Sequence, residues 1–237
     1  MNAHALLAAV LLAAAPAAAQ VADPPLVDAV KSGDLAGLKS RLASGADVGA
    51  KDAHGWTASM WAAGHSGSAT LKALLDAGGD VKDAPGFNAM IEAAKGGRAD
   101  NVALLASKGF DCSAKDETGT PALAYAAAVS TQTLSALIAC KAKIGARDAD
   151  GRSSLVRAAQ LGRAESVRRL LAAGARVDAK DKLGYTALMW AAHGGWTETV
   201  RILLAAKADP AARAPDGRSP KDMAAGRGFA EAAALLP

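Results

Sequence analysis

Asp181-Lys-Leu-Gly-Tyr-Thr-Ala-Leu-Met-Trp-Ala-Ala-His-Gly-Gly-Trp-Thr-Glu-Thr-Val-Arg-Ile-Leu-Leu-Ala-Ala-Lys-Ala-Asp209 is the stretch on which the fold turns, because the chain repeats it with variations. Its Asp-x-x-Gly opening recurs at Asp52–Gly55, Asp83–Gly86, Asp116–Gly119 and Asp148–Gly151, and Ala214–Gly217 keeps the spacing without the Asp. Successive openings are 31, 33, 32, 33 and 33 residues apart. An Ala-Ala pair follows seven residues after each of these glycines, at 62–63, 93–94, 126–127, 158–159, 191–192 and 224–225. A fixed period in this range marks stacked supersecondary units.

One copy, Asp148 to Lys180, shows the physics. Asp148-Ala-Asp-Gly151 reads as a turn, since Asp bonds its own backbone and Gly accepts positive φ. Ser153 offers a hydroxyl to cap a short helix through Ala158 and Ala159, which Gly162 ends. Ala164 to Ala173 reads as a second helix with Val167, Leu170 and Leu171 on one stripe, stopped by Gly174. The paired alanines let first helices approach closely, and Leu-Leu pairs such as Leu74-Leu75, Leu170-Leu171 and Leu203-Leu204 fill the space between helix layers. No unit buries its apolar face alone, so stability must come from stacking.

The pattern resembles the ankyrin repeat. The matching stretches are Thr57-Ala-Ser-Met-Trp-Ala-Ala63, Thr186-Ala-Leu-Met-Trp-Ala-Ala192 and Gly45-Ala-Asp-Val48. The resemblance implies an all-α solenoid of about seven helix-turn-helix units with short β-hairpin-like turns. The expected units are 26–51, 52–82, 83–115, 116–147, 148–180, 181–213 and 214–236, within a repeat domain spanning 26–237. Met60 and Met189 replace the family's helix histidine, and Trp196 takes its histidine after the inter-helix Gly. Unit four is the expected soft point, because Pro121 takes the Thr position and no Gly separates its helices.

The N-terminus has the layout of a secretory signal. Ala5 to Ala15 is uncharged and apolar, Pro16 breaks it, and Ala17-Ala18-Ala19 supplies small residues for cleavage before Gln20. We expect a signal peptide over 1–19, a short extension over 20–25, and a periplasmic or secreted mature protein without stable membrane insertion. Cys112 and Cys140 then lie in a compartment that permits disulfides. Units stacked about 10 Å apart make a bridge conceivable but strained unless the backbone adapts. The simpler reading is two small buried hydrophobes.

The net charge is +4, with Lys and Arg scattered rather than striped, which argues against nucleic-acid binding. Past the signal, His54, His65 and His193 have no arrangement that suits metal ligation, and most Asp residues fill repeat-defining slots. No cofactor, metal or catalytic constellation is expected. The slot after each turn Gly reads Trp56, Phe87, Thr120, Arg152, Tyr185 and Arg218, rich in the Trp, Tyr and Arg that dominate interface hot spots. His54 stands on a turn. His65, Lys95, Gln160 and His193 end the first helices and would floor the same concave face. Trp61 and Trp190 read as packing.

The functional expectation is a non-catalytic, monomeric module that binds a folded protein through turn tips and concave face. The alternatives are an inhibitor or immunity protein of a cell-envelope hydrolase, or a stress-protection factor, roles that the resemblance to exported bacterial ankyrin-repeat proteins implies.

Overall fold

The computed structural model describes residues 23–81 and 87–237. The expected signal peptide and the turn at Asp83–Gly86 lie outside them. Among the described residues, fourteen helices form seven consecutive pairs: α1 (Pro25–Lys31) with α2 (Leu35–Ala43), α3 (Ala58–His65) with α4 (Ser68–Asp76), and α5 (Ala89–Lys95) with α6 (Ala99–Ser107). The remaining pairs are α7 (Ala122–Val129) with α8 (Thr131–Ala139), α9 (Ser154–Gln160) with α10 (Ala164–Ala172), α11 (Ala187–His193) with α12 (Thr197–Ala205), and α13 (Pro220–Ala225) with α14 (Ala230–Ala234). Odd-numbered helices stack in one layer and even-numbered helices in a second. Isolated antiparallel bridges Lys51↔Thr57, Lys115↔Pro121 and Arg147↔Ser153 close the turns, and the described residues form no sheet. The chain is an all-α solenoid.

Local chemistry sets the helix starts. Thr57, Asn88, Ser153, Thr186 and Ser219 each accept a hydrogen bond from the backbone amide three residues on, at 3.1–3.3 Å. At α7, Pro121 has no side chain to do this. The alanine pairs from 62–63 to 191–192 are fully buried between neighbouring first helices. In the last pair, Ala224 is buried and Ala225 faces solvent, as a terminal unit requires. Leu38, Leu71, Leu74, Leu105, Leu134, Leu137, Leu170 and Leu203 fill the space between the layers.

Two of the links that cross between units stand out, one of them held in the sequence reading only as the lesser possibility. Asn101 of α6, 1% exposed, donates through Nδ2 to the carbonyls of Ala62, Ala63 and Ser66 at 2.9–3.0 Å. It thereby satisfies the Ala63 and Ser66 carbonyls, which the helix leaves open, and adds to the Ser66 amide already on Ala62. The second link is a disulfide between Cys112 and Cys140, with Cα atoms 6.2 Å apart. This corrects the reading of two unlinked small hydrophobes. The unit spacing used there applies to helix axes. Cys112 lies in the tail after α6, which leans across to Cys140 at the C-cap of α8, where Lys143 N also donates to Ser113 Oγ at 2.9 Å. Unit four thus combines a missing cap with a covalent tie.

Candidate functional site

Each turn is organised by its Asp. One carboxylate oxygen accepts from the amides two and four residues on: Asp52 from His54 (2.9 Å) and Trp56 (3.0 Å), Asp116 from Thr118 and Thr120 (both 2.9 Å), Asp148 from Asp150 and Arg152 (both 2.9 Å). Asp181 accepts from Tyr185 at 2.9 Å. The second oxygen faces the concave side, where a side chain nine residues on reaches it: Trp61 Nε1 at 2.8 Å, Tyr125 OH at 2.6 Å and Trp190 Nε1 at 2.8 Å. Burial pushes the pKa of Asp52 up. The Trp56 amide, the Trp61 indole, the His54 amide and the Lys31 ammonium outweigh it and hold the carboxyl well below its ordinary range. Asp116 is depressed in the same way, against burial, by Tyr125 and the Thr118 hydroxyl. The Tyr125 phenol is pushed up by burial and by its bond to Asp116.

Carboxylates therefore pin three rings by their polar tips. Trp61 and Trp190, expected as packing, are half-buried parts of the concave floor, and Tyr125 joins them. The signal for them lay in the column just before each Ala pair. That column varies freely (Trp61, Glu92, Tyr125, Arg157, Trp190, Met223) inside an otherwise constant stretch.

Around these anchors the expected site residues gather into two clusters. At the N-terminal end Trp56 packs against Trp61 (5.1 Å between centroids) and edge-on against Phe87 (5.3 Å), His65 lies 4.9 Å from Trp61, and Lys31 sits 4.4 Å over the Trp61 ring. At the C-terminal end Tyr185 and Trp190 stand edge-on at 5.3 Å, and His193 is 5.9 Å from Trp190. There Arg218 Nη2 donates to Tyr185 OH at 3.4 Å, and Arg227 Nη1 to His193 Nε2 at 2.7 Å. Burial and the Arg227 and Arg218 guanidiniums lower the His193 pKa. Between the clusters, Lys95 Nζ and the Arg157 guanidinium lie 5.2 and 5.8 Å from the Tyr125 ring centre.

Phe87 is a correction. It was expected to project from a turn tip, but it is 4% exposed and belongs to the core, because Trp56 of the preceding unit closes over it. Arg152 is not a free tip cation either, since it pairs with Asp148 at 2.9 Å and Asp150 at 2.6 Å. Arg218 is exposed and paired with Asp216, Lys95 with Glu92, and His54 stands exposed on its turn. Gln160 is half-buried, and its carbonyl accepts from Trp196 Nε1 at 3.0 Å. Trp196 lies so close over Gly162 that a Cβ there would come within 2.4 Å of the indole. Leu183, beside Tyr185 on the turn of unit six, is an exposed apolar tip that residue typing alone passed over.

A model of ankyrin repeats, in three copies, matches residues 26–116, 108–181 and 173–236. The chain belongs to the ankyrin-repeat family. Ankyrin repeats are generally a non-catalytic scaffold for binding other proteins, and the described surface carries three half-buried rings held by carboxylates. Among the described residues no three His, Cys, Asp or Glu side chains gather as a metal site, and no helix is long and apolar enough to cross a membrane.

Proposed function

We propose that this ankyrin-repeat chain is a periplasmic module that grips a folded partner along its concave face. The contact runs from Trp56 and Trp61 to Tyr185 and Trp190, with Leu183 and His54 at its rim. The observation that carries the reading is the anchoring of half-buried rings by buried Asp carboxylates. Rings held this way lose little freedom on binding, so their apolar area converts into affinity efficiently. The signal-like N-terminus and the bonded cysteine pair support an oxidising compartment. The alternative of an inhibitor with a protruding finger at 52–56 is less well supported, because Trp56 is folded onto Trp61 and Phe87.

Affinity capture from periplasmic extract tests the surface. Wild-type protein should recover a partner that Trp61→Ala and Tyr185→Ala each lose by about tenfold or more, with thermal unfolding still cooperative. Equal recovery by all three proteins would rule out this face. Mass spectrometry of cell fractions tests the location: the expected N-terminus is Gln20 in the periplasm, and an intact Met1 in the cytoplasm would overturn it.

A further inference from the structure

Unit five departs from the arrangement of units two, four and six, and the departure leaves a cation without a counter-charge. In those three units the residue nine positions after the turn Asp binds its outer oxygen, through Trp61, Tyr125 and Trp190. The same position in unit five is Arg157, on α9. The equivalent acceptor, Asp148 Oδ2, is already taken by Arg152 Nε at 2.9 Å. Among the described residues Arg157 makes no ion pair, and its Nε is buried without a hydrogen-bond partner. A guanidinium stays charged and carries five donors in a planar fork. That buried Nε is closed to an outside acceptor, so an incoming group would meet the half-buried side chain at the Nη ends of its fork.

The surroundings say what that acceptor is. The Tyr125 ring lies 5.8 Å from the guanidinium carbon and helps to hold the fork's plane. Of the neighbouring cations, Lys31 has Asp23 and Asp52, Lys95 has Glu92 and Arg218 has Asp216, while Arg227 meets His193 instead of a carboxylate. A polyanion such as nucleic acid would need several unpaired cations side by side. A fork with no ion pair among the described residues, set between aromatic residues at the equivalent positions of the units on either side, fits a single carboxylate among apolar side chains.

We propose that Arg157 is the carboxylate-receiving point of the concave face. It takes one Asp or Glu side chain from an acidic, partly apolar segment of the protein partner, while Tyr125 and Trp190 flank that segment's apolar residues. The inference rests on the concave face being the binding surface.

The test is built so that the two ideas fail separately. The probe is an acetylated peptide of alternating Glu and Leu, with a Gln-Leu peptide as control, titrated into the mature protein. The Arg157 guanidinium resonances, assigned by their loss in Arg157→Gln, should shift with the Glu peptide and not with the control. Arg157→Gln should weaken Glu-peptide binding at least about tenfold, the loss expected for a charge-assisted hydrogen bond. Arg157→Lys should recover part of it, since charge returns without the fork. Equal affinity of wild type and Arg157→Gln, with matching thermal unfolding, overturns the proposal, as does a shift confined to other arginines. In the extract experiment, partner capture lost with Tyr185→Ala but retained with Arg157→Gln refutes the carboxylate site and leaves the binding face standing. If the wild type captures no partner, the binding-face reading falls, and the peptide titration still decides Arg157.

Discussion

The two ends of the concave face start from the same sequence slot and finish differently. Phe87 and Tyr185 both follow a turn Gly, yet Phe87 is core and Tyr185 is half-buried, with its hydroxyl facing Arg218. The cause lies in the neighbouring unit. Trp56 precedes Phe87 and covers it edge-on, whereas Arg152 precedes Tyr185 and folds back onto Asp148 and Asp150. In a stack, the exposure of a slot is decided by the neighbour's side chain as much as by its own. The N-terminal end is therefore a packed aromatic wedge and the C-terminal end a polar-tipped aromatic surface.

The largest test of this contrast is truncation of both rings. Phe87→Ala should cost about 3–5 kcal/mol in denaturant unfolding, as for a buried aromatic. Tyr185→Ala should cost only about 1 kcal/mol, the scale of an aromatic pair, while removing partner binding. Equal stability losses would mean that the two ends are alike. Next comes the disulfide that ties units three and four, in the stretch between those ends. The disulfide closes a loop of sequence separation 28, so Cys112→Ser with Cys140→Ser should cost about 3–4 kcal/mol. Hydrogen exchange in that variant should show unit four opening first, since α7 has no side-chain cap. Protection of unit four above its neighbours would show that the cap is immaterial.

The smallest effect is the dependence of the C-terminal end on pH. His193 is neutral in the fold, with a pKa pushed below its ordinary value of about 6.5 by burial, Arg227 and Arg218. The unfolded chain binds that proton more readily, so the contribution is complete above about pH 6.5 and declines as pH falls from there towards the folded value. Melting temperature should drop between pH 7 and pH 5 more in the wild type than in His193→Gln. Identical pH profiles would remove His193 from the account. The depressed carboxyls of Asp52 and Asp116 contribute stability above about pH 4 that is lost only on further acidification.

The repeat period, the caps at Thr57, Ser153 and Thr186 and the buried alanine pairs were legible in the sequence because each is a local matter. The site was legible only in part. Trp56, Tyr185, His65 and His193 do line the concave side in two clusters. Phe87 was misplaced because its cover comes from another unit. The roles of Trp61, Tyr125 and Trp190 were hidden because they depend on which carboxylate oxygen remains open, a fact of three-dimensional geometry. The Cys112–Cys140 bond was named but ranked second, because helix spacing says little about where an irregular tail leans.

Asn101 gives the molecule a direction in time. The carbonyls of Ala63 and Ser66 find their partner 35 or more residues later in the chain. In a chain that emerges N-terminus first, that partner arrives only after the helix end it serves. Unit two therefore emerges unfinished and is completed by the arrival of unit three, so assembly reads from the first residue towards the last. A chain interrupted between positions 66 and 101 would carry an open helix end for any surveillance protease to find.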